Sequence, residues 1–168
     1  MTSASLVDGI FIGNYIGVTA LAAVNLIIPI TSLVFGIAMM LSVGGSVRAG
    51  KYLGEKNIAA ASSIFSKTLL SVAAYGVVVI ALGLILKDEL FTGLGATDAL
   101  FPVMSEYYVV IMPFLTTQLI VVVLYFFVRL DGMPNLAAIA LSIAAAVNIL
   151  LDYLFIVVYG WGLSGAAF

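Results

Sequence analysis

The chain has 168 residues, of which 64% are hydrophobic and 8% are charged, and its mean hydropathy is +1.30. A soluble domain is about half apolar and about a quarter charged, so this composition indicates an integral membrane protein. The net charge of −2 and the scattered basic residues argue against a nucleic-acid-binding surface. The chain has no cysteine and no histidine, which excludes thiol chemistry and leaves carboxylates to carry protons near neutral pH.

Uncharged stretches predict one partial and four complete membrane-spanning helices. A helix needs about 20 apolar residues to cross a hydrocarbon core of about 30 Å. A helix from Met1 to about Gly13 would cover only about 20 Å, so we expect the first span to be incomplete. The complete spans are predicted near residues 20–47, 68–86, 107–128 and 136–158.

The last ten residues, "YGWGLSGAAF", have the composition of a Gly-rich turn followed by the start of another element. Because the first span is also short, we expect the sequence to be a piece of a larger protein. The predicted fold class is therefore all-α: a polytopic transmembrane helical bundle that forms a single, incomplete domain over residues 1–168.

The basic residues predict the orientation of the spans. Five of the six lie in two connections, residues 48–67 and 129–135, whereas Lys87 lies in the connection after the third span. Since cytoplasmic connections carry an excess of Lys and Arg, we expect residues 48–67 and 129–135 to be cytoplasmic. The acidic segment "KDELFTGLGATD" is then expected to be an outward-facing loop of a multi-pass cell-membrane protein.

Two carboxylates lie within apolar spans. Asp8 and Asp152 each precede an outward turn and would lie about 8–13 Å below the outer surface on parallel helices. Asn148 is four residues before Asp152 and therefore on the same helix face. A carboxylate in lipid is costly, so such residues usually face the protein interior or a wet cavity. An interfacial Asp152 that reaches water is the alternative.

Two carboxylates and an amide in a site of low dielectric constant can bind a cation. Proximity and desolvation favour retention of a proton by one carboxylate, and oxygen ligands of this kind can equally hold Na⁺. Either ion can drive a conformational change if it binds two states of the protein differently. Asp8, Asn148 and Asp152 are therefore the predicted coupling-ion site. We expect no cofactor and no other metal site.

Four segments together resemble the multidrug and toxic compound extrusion family: "LVDGIFIGNYIGVTALAAVN", "GGSVRAGKYLGEKNIAAA", "RLDGMPNLAAIALSIAAAVNILLDYLFI" and "GWGLSGAA". The resemblance covers essentially the whole chain. It implies a twelve-helix, two-lobed transporter of which this chain is the incomplete N-terminal lobe, without its C-terminal lobe. Asp8 matches the aspartate of the family's first helix, and Asn148 and Asp152 match an N-x-x-x-D pair in its fifth.

The resemblance implies that these three residues bind the coupling H⁺ or Na⁺. One position departs from the family pattern, in which proline commonly follows the second aspartate. Tyr153 stands there instead. A proline would bend or loosen the helix, so this distortion is either absent here or has another source.

The implied function is secondary active multidrug efflux, in which H⁺ or Na⁺ is exchanged for an amphipathic, often cationic, organic compound. Asn25 and Gln118 lie within predicted spans and are candidates for the substrate cavity, although interhelical hydrogen bonding is an equal alternative. We do not expect an enzyme, since no nucleophile and base or metal-ligand set is present.

Two other functions remain open. The first is a lipid-linked saccharide flippase of the same superfamily, which the scarcity of basic residues within the spans disfavours. The second is a non-transporting interaction module. It would associate through Gly9, Gly13 and Gly17, whose four-residue spacing predicts a small-residue helix face.

Overall fold

The computed structural model of the chain describes residues 9–161. Within this range the chain folds into five α-helices and two π-helical segments. The α-helices are α1 (Val18–Gly54), α2 (Ile58–Ile85), α3 (Lys87–Gly93), α4 (Phe101–Leu130) and α5 (Pro134–Asp152). The N-terminal π-helix is Ile12–Ile16, and the C-terminal π-helix is Tyr153–Val158, which continues α5.

Four helices are long and apolar enough to cross a membrane: Val18–Gly54, Ile58–Ile85, Phe101–Leu130 and Pro134–Val158. Each contains most or all of one predicted complete span, so the prediction of an all-α polytopic membrane protein is confirmed. Large apolar side chains are widely exposed along these helices, as at Val18 (80%) and Met40 (75%). This exposure suits a surface whose solvent is lipid and not water.

The connection predicted over residues 48–67 is mostly helical, which corrects the predicted boundaries. Helix α1 continues to Gly54 and α2 begins at Ile58, because charged residues end an apolar span without ending a helix. The turn between them is only three residues long. Lys56 has a left-handed φ of 59°, and the Asn57 side chain caps α2 by accepting a hydrogen bond from the Ala60 amide at 3.0 Å.

The predicted outward loop is also partly helical. Lys87–Gly93 forms the short helix α3, with Asp88 and Glu89 in its first turn, where carboxylates are favourable. The Lys87 side chain donates a hydrogen bond to Ser105 at 2.7 Å and lies 3.7 Å from the Asp88 carboxylate. These contacts tie the start of α3 to α4.

The turn predicted in "RLDGMPN" is confirmed. Helix α4 ends at Leu130, Gly132 adopts a φ of 82°, and α5 begins at Pro134. Glycine tolerates this left-handed conformation, and proline is favoured at the first position of a helix because its missing amide hydrogen would have no helical partner.

The described residues group into two compact units. The first contains residues 9–30, 82–113 and 141–161, and the second contains Thr31–Ala81 and Phe114–Ala140. In the first unit the ring of Phe91 meets that of Tyr108 edge-on, with centroids 5.3 Å apart. In the second unit the buried residues include Val72, Leu119 and Val123. The single domain over 1–168 stays a prediction.

Two glycines of the second unit allow close approach of its helices. A Cβ added at Gly45 of α1 would overlap the side chain of Thr68 on α2. A Cβ added at Gly76 of α2 would lie 2.6 Å from Oγ1 of Thr116 on α4. Small residues are enriched where membrane helices pack closely, so both positions require glycine for packing and not for backbone flexibility.

The glycines of the predicted small-residue face do not lie on one uninterrupted α-helix. Residues 12–16 are π-helical, and Gly17 ends the segment with a φ of 121°. A Cβ added at Gly13 would lie 3.5 Å from the Leu21 side chain of the same chain. This helix face is therefore partly engaged within the chain, which weakens the interpretation as an interaction module.

Candidate functional site

Asp152 is the last residue of α5 and is only 3% exposed. A short carboxylate side chain at this level of burial does not reach bulk water. The alternative of an interfacial residue that reaches the aqueous boundary is thus not supported by the geometry. Burial of a carboxylate within an apolar span is energetically unfavourable unless its charge is neutralised or coordinated. The Asp152 side chain therefore requires a bound proton, a bound cation or a strong hydrogen-bond donor.

Asn148 lies one helical turn before Asp152 on the same face of α5. Its Oδ1 atom is buried and accepts no hydrogen bond from the described residues. An unused buried acceptor costs about 1–3 kcal/mol, and it lies beside a buried carboxylate. Oxygen atoms of these two types are suitable ligands for a hard cation, and a protonated carboxyl group can donate a hydrogen bond.

The helix changes from α to π geometry immediately after Asp152. Farther along, the Tyr159 amide donates to the Leu154 carbonyl five residues earlier, at 2.9 Å, which is the π pattern. The switch occupies the place where the family pattern has a proline. The local distortion expected from that proline therefore has another source here, in keeping with the frequent occurrence of π segments at functional sites.

The N-terminal π-helix contacts the C-terminal π-helix within the first compact unit. Ile12 and Ile156, one from each segment, are both buried. The segment that follows Asp8 in the sequence is thereby held against the segment that follows Asp152. Asp8 itself lies outside the described residues, so its pairing with Asp152 stays a prediction.

The candidate cavity residues Asn25 and Gln118 are both exposed, on α1 and α4 respectively. An amide exposed within an apolar span is unfavourable against lipid and is more usual at a wet cavity or a protein interface. The contribution of Asn25 and Gln118 to a substrate path stays a prediction.

Two features of the site were missed by sequence reasoning. The C-terminal π-helix has the sequence "YLFIVV", which contains no glycine or proline to indicate a change of helix type. The second is a ring pair that joins this π-helix to the residues after it: the rings of Phe155 and Trp161 stack with centroids 4.8 Å apart and planes 3° apart. The positions of Phe155 and Trp161 can be read from the sequence, but residues six apart do not lie side by side on a regular α-helix.

Comparison with known proteins agrees with this architecture. Residues 1–154 match the MatE family model. The multidrug export protein MepA of Staphylococcus aureus strain bovine RF122 is 26% identical over 159 residues, which cover 94% of this chain and 35% of that protein. The chain thus spans about a third of the length of this curated relative.

Two solved structures share the fold. An inward-facing multidrug resistance MATE family transporter of the MOP superfamily matches with a TM-score of 0.91 and 29% identity, over 98% of this chain and 37% of that one. An outward-facing structure with the same description matches with a TM-score of 0.89 and 29% identity, over 98% and 36% of the two chains. Since the family model covers nearly the whole sequence, this chain belongs to the MatE family.

Proposed function

We propose that this chain forms the N-terminal part of a cation-coupled efflux transporter. In the complete protein, inward movement of H⁺ or Na⁺ through the site at Asp152 drives outward movement of an amphipathic organic compound. The proposal describes a transporter and not an enzyme. It includes Asp8 as the second carboxylate of the ion site and a C-terminal lobe that lies outside this sequence.

The observation that carries the proposal is the pair formed by Asp152 and Asn148. The buried carboxylate of Asp152 lies one helical turn after the buried Oδ1 of Asn148, which accepts no hydrogen bond from residues 9–161, and α5 becomes π-helical at this point. An ionisable residue buried within a membrane span is by default a candidate for a functional role. An ion that binds here in one conformation more tightly than in another shifts the balance between them.

The two solved structures support alternating access as the mechanism. The chain resembles the inward-facing and the outward-facing transporter almost equally, with TM-scores of 0.91 and 0.89. Similarity to both states is compatible with alternating access, which is the usual mechanism of secondary transporters. The coupling ion would then act on the orientation of this bundle.

Drug-like compounds are the favoured substrates. The relative described above is a multidrug exporter, and the exposed amides Asn25 and Gln118 suit a cavity that forms few directional contacts with many compounds. A lipid-linked saccharide flippase is the less favoured function, because an anionic pyrophosphate linker requires basic residues within the cavity.

The test of the proposed function is gradient-driven transport by the complete protein in proteoliposomes. An imposed H⁺ or Na⁺ gradient should drive a cationic fluorescent dye against its own gradient, and collapse of the gradient with an ionophore should stop this movement. The 168-residue chain alone should not move the dye, because alternating access needs a second bundle. Dye movement that ignores both gradients would contradict the proposal.

The proposed orientation has a separate test by cysteine labelling, which the cysteine-free chain makes clean. A cysteine in place of Glu55, in the turn before α2, should be protected from an impermeant thiol reagent outside intact cells. One in place of Thr97 should react. Glu55 is a better position than Asn57, whose side chain caps α2. The opposite labelling pattern would reverse the orientation.

A further inference from the structure

A groove of about 310 Å³ in the second compact unit carries two basic side chains that the transport mechanism does not use. Arg48 of α1 and Lys67 of α2 both line it and are both exposed. Neither forms an ion pair with a carboxylate among residues 9–161. Two unneutralised cations that line one groove attract an anion that can contact both.

The position of these two residues along their helices limits what the anion can be. Arg48 follows the uncharged stretch of α1, and Lys67 precedes that of α2. Both therefore lie at the boundary between the apolar and polar parts of their spans, where phospholipid headgroups lie in a bilayer. A soluble anion is not concentrated in the headgroup region of a bilayer, whereas the phosphate of a phospholipid is held there.

The remainder of the groove is suitable for a hydrocarbon chain. Met40 and Leu41 line it about two helical turns deeper than Arg48, and their side chains are 75% and 40% exposed. Gly44 forms an open part of the wall, since an added Cβ there would meet no heavy atom within 4 Å. The groove thus has basic side chains at one end and apolar side chains at the other, which matches the charged headgroup and the acyl chain of a phospholipid.

A second groove of the same unit provides a contrast. It has a volume of about 320 Å³ and is lined by aliphatic and aromatic side chains, and its charged lining residue is Asp131. A phosphate would be repelled at that rim. The charge of the first groove is therefore a specific property of that site and not of grooves in this unit generally.

We propose that the groove between Arg48 and Lys67 binds an anionic phospholipid. The phosphate accepts hydrogen bonds from the guanidinium of Arg48 and the ammonium of Lys67, and an acyl chain lies over Met40 and Leu41. The site is independent of the coupling-ion site, so either can fail in experiment without the other.

The test is native mass spectrometry of the purified complete transporter in detergent with equal amounts of phosphatidylglycerol and phosphatidylcholine. The unaltered chain should retain phosphatidylglycerol in preference. The double variant Arg48→Gln/Lys67→Gln should lose about 25-fold in apparent affinity for it, at about five-fold per basic residue near a membrane surface. The matched variant Lys51→Gln/Arg129→Gln removes the same number of charges outside the groove and should lower the affinity for phosphatidylglycerol less than the first double variant does.

A second pair of variants tests the groove with all charges present. Gly44→Phe should fill the groove and reduce phosphatidylglycerol retention, whereas Gly36→Phe, at an exposed and equally open position of α1, should not. Inorganic phosphate added in excess should not displace the lipid. Equal losses in both double variants, equal losses in both glycine variants, displacement by inorganic phosphate, or no preference between the two lipids would each overturn the proposal.

Discussion

Replacing Asp152 by asparagine in the complete transporter should abolish ion-driven efflux, because the ion would no longer bind one conformation more tightly than the other. The substitution keeps the shape of the side chain and removes its charge. Folding and membrane insertion should persist, since a buried carboxylate is itself unfavourable. Substrate binding should remain measurable in detergent but should no longer respond to H⁺ or Na⁺, because linkage between ion and substrate runs through this group.

The matched control for this experiment is Asp98→Asn, which removes the same charge from an exposed position before α4. It should pump at the unaltered rate. Asn148→Ala should resemble Asp152→Asn in direction if the amide oxygen is a ligand of the ion. If Asp152→Asn pumps as fast as the unaltered protein with the same ion dependence, the coupling site lies elsewhere in the transporter.

Replacing Gly45 by alanine should destabilise the chain by about 1–3 kcal/mol, the usual cost of forcing extra atoms into a packed interface. The new methyl group would overlap the side chain of Thr68, which is buried and held by a hydrogen bond from its Oγ1 to the Ile64 carbonyl at 2.9 Å. A β-branched side chain in a helix has few other rotamers, so α1 and α2 must separate. Thermal unfolding of the purified chain in detergent would measure the loss.

Two variants make this expectation specific. Gly44→Ala adds the same methyl group one residue earlier, where the space is open. It should be neutral or stabilising, because alanine is favoured over glycine in a helix by about 1 kcal/mol. The double variant Gly45→Ala/Thr68→Ala should recover much of the lost stability. A Gly45→Ala chain as stable as the Gly44→Ala chain would contradict the packing account.

The number and order of the four complete spans could be predicted from the sequence because lipid imposes a simple requirement on composition and length. Most of the predicted partial span, Met1 to about Gly13, lies outside the described residues. Uncharged runs of the necessary length appeared in the right places, and each is confirmed as a helix. Helix ends were less predictable. Charges at Arg48 and Lys67 marked the edge of the apolar region, yet the backbone continues as a helix to Gly54 and from Ile58, since water and lipid both permit helical hydrogen bonding.

Sequence reasoning named the residues of the candidate site, whose role stays a prediction, but it could not supply their geometry. An aspartate within an apolar stretch identified Asp152, and four-residue spacing placed Asn148 beside it. The burial of Asp152 and the contact between the two π-helices depend on tertiary packing, which no local pattern encodes. The change of helix type at Tyr153 depends on backbone hydrogen bonding in a segment whose side chains are ordinary for a span.

The C-terminal π-helix makes chain length a functional variable in this region. A π-helical turn is closed by a hydrogen bond that spans one residue more than in an α-helix, so loss of one residue between Tyr153 and Val158 would allow this segment to return to α geometry and would remove the π-helical backbone that follows Asp152. The same deletion in the turn at Lys56 would change only a surface connection. A deletion of one residue within Tyr153–Val158 is therefore expected to change the backbone geometry next to Asp152 even where every other side chain of the candidate site is retained.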